Sequence, residues 1–319
     1  MSGPLHTLKV HRREVQGGNV VVLELVEPQG RPLPAFSAGA HVDVHLGTGL
    51  VRQYSLCGNP ADLSRYRLGI LRAHNSRGGS LAAHEQLHEG GEVTIGMPRN
   101  LFPLAPAARR SVLIGGGIGI TPLLAMAHQL HTQGQPFELY YCGRSRQQSA
   151  FVDELERAAF AACVHTHFDD EHAGRKLDLA GVLGNGQPGL HLYTCGPGGF
   201  MDWVIGHAQA AGFTPEHIHR EYFQACAERA GDAFDVVALR SGKTVRVSPG
   251  QSIAQALVTA GVKLQVACEQ GMCGTCLCTV LDGQPDHRDV YLTDEEKADN
   301  QQILTCCSRA LSATLILDI

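Results

Sequence analysis

Three rhythms of apolar and polar positions succeed one another along the chain. Up to about residue 106, apolar or alternating runs of six or seven residues (19–25, 41–46, 66–72) are separated by Gly and Pro. Such short, turn-bounded runs predict an antiparallel β-barrel. From residue 107 the apolar run 111–114 enters a glycine loop and predicts a helix over 122–133. A strand at 137–142, a helix near 150–162 and a strand at 190–195 follow. Strands alternating with helices predict a doubly wound parallel α/β sheet. Residues 224–232 are small and polar, as a linker requires. Beyond them, strands at 233–239 and 244–248 and a helix at 252–260 lead into a crowd of cysteines. The expected organisation is a barrel domain at 1–106, an α/β domain at 107–225 and a small domain at 233–319.

Composition narrows the function classes. The 319 residues exceed what one core usually organises. A net charge of −5 argues against nucleic acid, whose phosphates attract a basic excess. The chain opens Met-Ser-Gly-Pro-Leu-His-Thr, without the charged-then-apolar pattern of a secretory signal. Its most apolar window, 111–127, is broken by four glycines and a proline, so no membrane span is expected. A cytoplasmic protein is the expectation. Eleven cysteines there should be metal ligands or reduced thiols.

Their spacing is specific. Cys268, Cys273 and Cys276 stand at C-x4-C-x2-C, and Cys306 follows after 29 intervening residues. This is the plant-type spacing for a [2Fe–2S] cluster, in which four thiolates hold two irons. Gly271 and Gly274 in the same loop let the backbone wrap the cluster and turn amide hydrogens toward sulfur. A structural zinc site, the competing reading, usually takes paired CxxC or Cys/His ligands, and only one CxxC is present. Cys307 competes with Cys306 for the fourth position, and spacing favours Cys306. Cys278, two residues past a ligand, should point away into the core.

Two further constellations carry chemistry. Arg52-Gln53-Tyr54-Ser55 ends a probable strand: an Arg can pair with phosphate, a Tyr can cover an isoalloxazine face, and a Ser can hydrogen-bond the hydride-accepting flavin nitrogen. Arg77-Gly78-Gly79-Ser80 precedes an apparent helix through 82–87 and makes an anion site from unpaired amides. In the second domain, Gly115-Gly116-Gly117-Ile118-Gly119-Ile120-Thr121-Pro122 links strand to helix as a phosphate cradle. It departs from G-x-G-x-x-G, since Thr121-Pro122 stands where the last glycine would be. Cys195-Gly196-Pro197 opens a second glycine turn at a strand's carboxyl end. Arg144 and Ser145, after the strand ending at Cys142, fall near the expected adenosine ribose. An Arg there could serve the 2′-phosphate of NADPH, so the choice between NADH and NADPH stays open.

Taken in order, these motifs resemble the phthalate dioxygenase reductase-type family, the group with vanillate O-demethylase and carnitine monooxygenase reductases. The resemblance covers essentially the whole chain and is sharpest at Pro285-Asp-His-Arg-Asp-Val-Tyr-Leu-Thr and Cys306-Cys-Ser-Arg-Ala. It implies a multidomain α/β plus β fold: a flavin-binding barrel, a nucleotide-binding domain and a C-terminal β-grasp ferredoxin-like domain. It further implies FMN rather than FAD, NADH as donor, and a Rieske-type terminal oxygenase as acceptor. It would place Phe223 of Glu221-Tyr-Phe near the flavin, against the alternative of a core aromatic. Ser55 and Cys195 are the candidates nearest the hydride transfer, which needs no side-chain acid or base. His287 and Arg288 fit either a partner surface or a turn. Two other readings remain: a reductase serving a haem protein, and a redox sensor that binds flavin without turning over nucleotide.

Overall fold

The computed structural model describes residues 4–47, 50–73, 78–223, 230–266, 268–272 and 274–319, so Arg77, Cys226 and Cys273 lie outside the described residues. The chain divides into two compact units, 1–223 and 224–319.

The first unit opens with strands β1 (Leu5–Gln16), β2 (Val20–Val26), β3 (Ala40–Leu46), β4 (Leu50–Ser55) and β5 (Tyr66–Leu71). Helix α1 (Gly79–Gln86), β6 (Glu92–Gly96) and the short β7 (Arg99–Asn100) complete this half. Every pairing is antiparallel, in the order β4-β3-β6-β1-β2-β5, with β7 beside β3. A bridge between Leu56 and Leu68 brings the chain just after β4 against β5 and draws the sheet round on itself. Leu8, Val10, Leu23, Leu25, Val42, Val44, Leu68 and Ile70 fill the barrel, all at most 1% exposed. The alternation along β2 and β5 read from sequence is thus the inside and outside of a barrel wall.

The α/β half runs β8 (Arg110–Gly116), α2 (Ile120–Thr132), β9 (Phe137–Gly143), α3 (Val152–Arg157), β10 (Val164–Phe168), α4 (Leu179–Leu183), β11 (Leu190–Cys195), α5 (Gly198–Ala210) and β12 (Ile218–Glu221). All five strands are parallel, in the order β10-β9-β8-β11-β12. Strand β8 is central and apolar on both faces, as a doubly covered parallel strand must be. Leu113 joins the core that holds α2, whereas Val112 and Ile114 join the core under α4 and α5. Connections run one way from β8 to β9 and the other way to β11, which opens a crevice at the carboxyl ends of β8 and β11.

The barrel and the α/β sheet share a core. Val20, Val22, Ala38, Cys57 and Phe102 pack in one cluster with Leu113, Leu123, Tyr141 and Phe151. Across the same seam Arg67 donates to both carboxylate oxygens of Glu154, at 2.6 and 2.7 Å. The two domains expected before residue 224 therefore lie in a single unit. Two helices differ from their expected bounds. Helix α2 starts two residues early, because the 3-10 turn Gly117–Gly119 winds directly into it. The helix expected at 150–162 is only α3, since Phe151 takes the left-handed φ of 65° and Ala158 is extended. Phe151 is held there by its buried ring and by its amide donating to Gln16 Oε1 at 2.8 Å.

The second unit contains β13 (Phe234–Ala238), β14 (Lys243–Val247), α6 (Ile253–Thr259), β15 (Leu277–Asp282), β16 (Pro285–Asp286), α7 (Asp294–Asp299), β17 (Gln302–Leu304), β18 (Arg309–Ala310) and β19 (Thr314–Leu317). A mixed sheet, β14-β13-β19-β15-β17, packs α6 over a core of Phe234, Val236, Leu257, Cys278 and Leu315. Cys278 points into that core, as strand alternation requires. Ser252 and Thr293 cap α6 and α7 in reciprocal boxes with Gln255 and Glu296. Arg309, only 2% exposed, donates to the carbonyls of Gln251, Ser248 and Asp232 and lies 5.1 Å over the Phe234 ring.

Candidate functional site

In the second unit, the loop leading into β15 and the segment after β17 bring cysteines together. Cys268, Cys276, Cys306 and Cys307 are each at most 4% exposed. The Cys306 sulfur lies within hydrogen-bonding reach of those of Cys268, Cys276 and Cys307, and these contacts push its thiol far above the ordinary range. Cys276 moves the other way, lowered chiefly by its bond with Cys306. Buried thiols gathered in this way supply the soft donors that an iron–sulfur cluster takes. Among the described residues no three ligating side chains already stand at metal-binding distance, and Cys273 lies outside them. Cys307 instead directs its sulfur at the Leu304 carbonyl and the Ser308 hydroxyl, both at 3.7 Å. It also backs the loop: a Cβ on Gly271, whose φ is +70°, would lie 2.4 Å from Cys307 Sγ. His287 and Arg288 have structural partners. His287 Nε2 pairs with Asn300 Oδ1 at 3.2 Å, and Arg288 donates to Asp286 at 2.6 Å and to the Ala230 carbonyl at 2.7 Å.

In the first unit, β4 carries the Arg52–Ser55 motif. Gln53 donates to Asp43 Oδ1 on the paired strand at 3.1 Å, and Arg99 donates to the same oxygen at 2.7 Å. Arg52 Nη1 donates to the Val51 carbonyl at 2.8 Å. Tyr54 is half-buried against the barrel core, and burial pushes its hydroxyl to about 12. The glycine–serine helix start reaches the same strand: a Cβ on Gly79 would lie 2.4 Å from Arg52 Cγ, so only glycine lets the two segments meet. Gly78, left-handed at φ 87°, turns the chain into α1. Ser80 Oγ accepts from the Ala73 amide at 3.2 Å. The expected helix at 82–87 therefore begins earlier, at Gly79.

At the carboxyl ends of β8 and β11 the two glycine turns lie backbone to backbone. A Cβ on Gly119 would fall 2.2 Å from the Cys195 carbonyl oxygen, and one on Gly116 or Gly196 would meet the Phe200 ring at 2.8 Å. Gly117, in contrast, faces open space. Thr121 is buried and donates to the Ile118 carbonyl at 2.9 Å, which locks the turn onto α2. Pro197 sits immediately before α5, extended, with Gly198 and Gly199 opening the helix. Cys195 is fully buried, and burial together with the nearby Glu221 raises its thiol well above the usual value. Arg144 is exposed at the end of β9.

One residue escaped the sequence reading. Glu221, paired with Cys195 across β11 and β12, accepts a hydrogen bond from Ser55 Oγ at 3.2 Å. The residue as a whole is half-buried, yet its carboxyl lies deep enough that burial raises it to about 8, partly offset by the Ser55 hydroxyl. The two candidates nearest the hydride transfer, Ser55 and Cys195, thus meet at a carboxyl that is neutral at neutral pH. No local signal marks it, because Ser55 and Glu221 are 166 positions apart. Phe223, half-buried, closes the first unit two residues later.

A flavin-type barrel, a doubly wound nucleotide sheet with paired glycine turns and a unit of converging cysteines define an iron–sulfur flavoprotein reductase. Known proteins agree with that class. The 2Fe-2S iron-sulfur cluster binding domain matches residues 237–311, and the N-terminal domain of dimethylamine monooxygenase subunit DmmA-like proteins matches residues 98–218. The vanillate O-demethylase oxidoreductase of Pseudomonas sp. (strain HR199 / DSM 7063) is 48% identical over 303 residues, 94% of this chain and 96% of that one. Phthalate dioxygenase reductase superposes with a TM-score of 0.79 at 37% identity, over 99% of this chain and 98% of that one. An intact type IV self-sufficient cytochrome P450 monooxygenase gives a TM-score of 0.81 at 37% identity, over the whole of this chain but 42% of that one. The chain belongs to the phthalate dioxygenase reductase-type family and is an oxidoreductase that carries a [2Fe–2S] domain.

Proposed function

We propose that the protein is the NADH-dependent reductase of a two-component oxygenase system, with FMN in the barrel and a Rieske-type oxygenase as electron acceptor. The observation that carries this reading is the meeting of Ser55, Cys195 and Glu221 where the barrel's β4 adjoins the ends of β11 and β12. When bound, the flavin and the cluster together convert one hydride into two single-electron transfers. Residues of this chain position both ends. Arg52, Arg77 and the amides of Gly78, Gly79 and Ser80 would hold the FMN phosphate, and Gln53, Tyr54 and Ser55 would line the ring. Gly116, Gly117, Gly119, Thr121, Cys195, Gly196 and Pro197 would cradle NADH, with Arg144 toward its ribose and Phe223 beside the flavin. The neutral Glu221 accepts from the Ser55 hydroxyl on Oε2 and can hold its own proton on Oε1, which keeps negative charge away from an arriving hydride.

Cys268, Cys273, Cys276 and Cys306 are the proposed iron ligands, supported by the convergence of the described three. Residues 1–106 and 107–225 would serve as flavin and nucleotide domains, and 233–319 as the ferredoxin domain. Among the described residues no helix is long and apolar enough to cross a membrane, and a cytoplasmic site suits cysteines that stay reduced or bind metal. The test is to release and identify the flavin, then titrate the purified protein anaerobically with NADH. Bleaching of flavin and cluster absorbance together is expected; flavin that NADH leaves oxidised would refute the reading. The likeness to a cytochrome P450 monooxygenase favours one alternative, a haem acceptor. Reduction of a haem domain but not of a Rieske oxygenase would establish it.

A further inference from the structure

We infer that Glu156 and Glu171 exclude NADPH by occupying Arg146, the second of the two arginines that follow β9 and could receive a 2′-phosphate; this rests on the nicotinamide site proposed above. In doubly wound sheets the adenosine ribose falls at the carboxyl end of the strand next to the glycine turn, where an arginine admits a 2′-phosphate. Here that strand is β9, hydrogen-bonded along β8, and Arg144 and Arg146 follow it. Arg146 is not available. Its Nε donates to Glu171 Oε1 at 2.7 Å, its Nη1 donates to Glu156, and its Nη2 reaches Thr166 Oγ1 at 3.4 Å. The guanidinium lies 5.1 Å over the Phe168 ring, which fixes it against β10.

The acidic loop is built into place. After β10 the amides of Asp169 and Asp170 donate to the carbonyls of Gly143 and Arg144, at 3.0 and 3.2 Å. That zips Asp169-Asp170-Glu171 alongside Arg144-Ser145-Arg146. With Glu156, these segments carry four carboxylates to two arginines, a net charge of −2. A ribose hydroxyl is indifferent to that charge, but a phosphate dianion is repelled by it. Each ion pair is itself weak, as its partners are about 40% exposed. Discrimination does not need strong pairs, because it is a difference between two ligands and repulsion of the wrong one suffices.

The experiment compares wild type, E156Q/E171Q and E156Q/E171Q/R146Q as holoproteins. The ratio of kcat/KM for NADPH to that for NADH should rise about tenfold or more in the double variant and fall back in the triple. Calorimetric titration with adenosine 2′,5′-bisphosphate and with AMP gives a readout free of turnover, and only the bisphosphate should tighten in the double variant. An unchanged ratio and unchanged bisphosphate affinity in a folded double variant would overturn the inference. So would a gain that survives removal of Arg146. If wild type does not oxidise NADH at all, the nicotinamide reading itself fails, which is a distinguishable result.

Discussion

Single residues decide the chemistry, and two pairs of neighbours make that testable. Cys306 and Cys307 are adjacent in sequence, but Cys306 is grouped with Cys268 and Cys276, whereas Cys307 turns its sulfur to the Leu304 carbonyl and the Ser308 hydroxyl. Cys306→Ser should therefore lose most of its iron and visible colour, whereas Cys307→Ser should keep the stoichiometry of the wild type; iron analysis separates them. Ser55 and Glu221 form the second pair. Glu221 holds a folded value of about 8 against 4.5. A carboxyl raised in this way contributes stability that is complete below the unfolded value and is lost as pH rises through the folded one. Glu221→Gln has no charge to bury, so it should gain on wild type by about 4 kcal/mol between about pH 5 and about pH 9 in urea melts. A constant difference across that range would contradict a buried neutral carboxyl. The hydroxyl of Ser55 was legible from its motif; its carboxyl partner was not, since only the folded sheet and barrel bring positions 55 and 221 together.

At the scale of elements, close backbone approach takes over from side-chain chemistry. The glycine run after β8 is readable as a cradle because glycine is the cheapest residue in a tight strand–helix turn. What it leaves unread is that Gly119 abuts the Cys195 carbonyl of the other turn. Gly119→Ala should cost about 1–3 kcal/mol of stability and raise the KM for NADH more than it lowers kcat. The ends of α3 were misjudged for a similar reason: nothing local announces that Phe151 turns left-handed, because a buried ring and a side chain from β1 impose it. In the second unit, Arg309 lends its donors to at least three backbone carbonyls from the segments that flank β13 and β14. Arg309→Met would strand those buried acceptors. It should destabilise that unit by about 3 kcal/mol, so that its thermal transition comes earlier while the first unit's stays in place.

Over the whole molecule, the order of domains was read from changes of apolar rhythm, from a barrel's short runs to alternating strand and helix to a cysteine loop. Those rhythms are local, and each follows from the covering its elements need. The seam between barrel and α/β sheet is not local. Cys57, Phe102 and the Arg67–Glu154 pair belong to no motif, yet they weld two expected domains into one unit with a common core. That seam is also where Ser55 meets Glu221, so the hydride site depends on a contact that no single segment encodes. The central claim is that this chain turns one hydride into electrons carried singly by the cysteine cluster. Its most direct test is an EPR spectrum of the purified holoprotein, frozen after anaerobic addition of one equivalent of NADH. The account predicts the signal of a reduced [2Fe–2S] cluster, abolished in Cys306→Ser; a reduced flavin beside a cluster that stays EPR-silent and oxidised would contradict it.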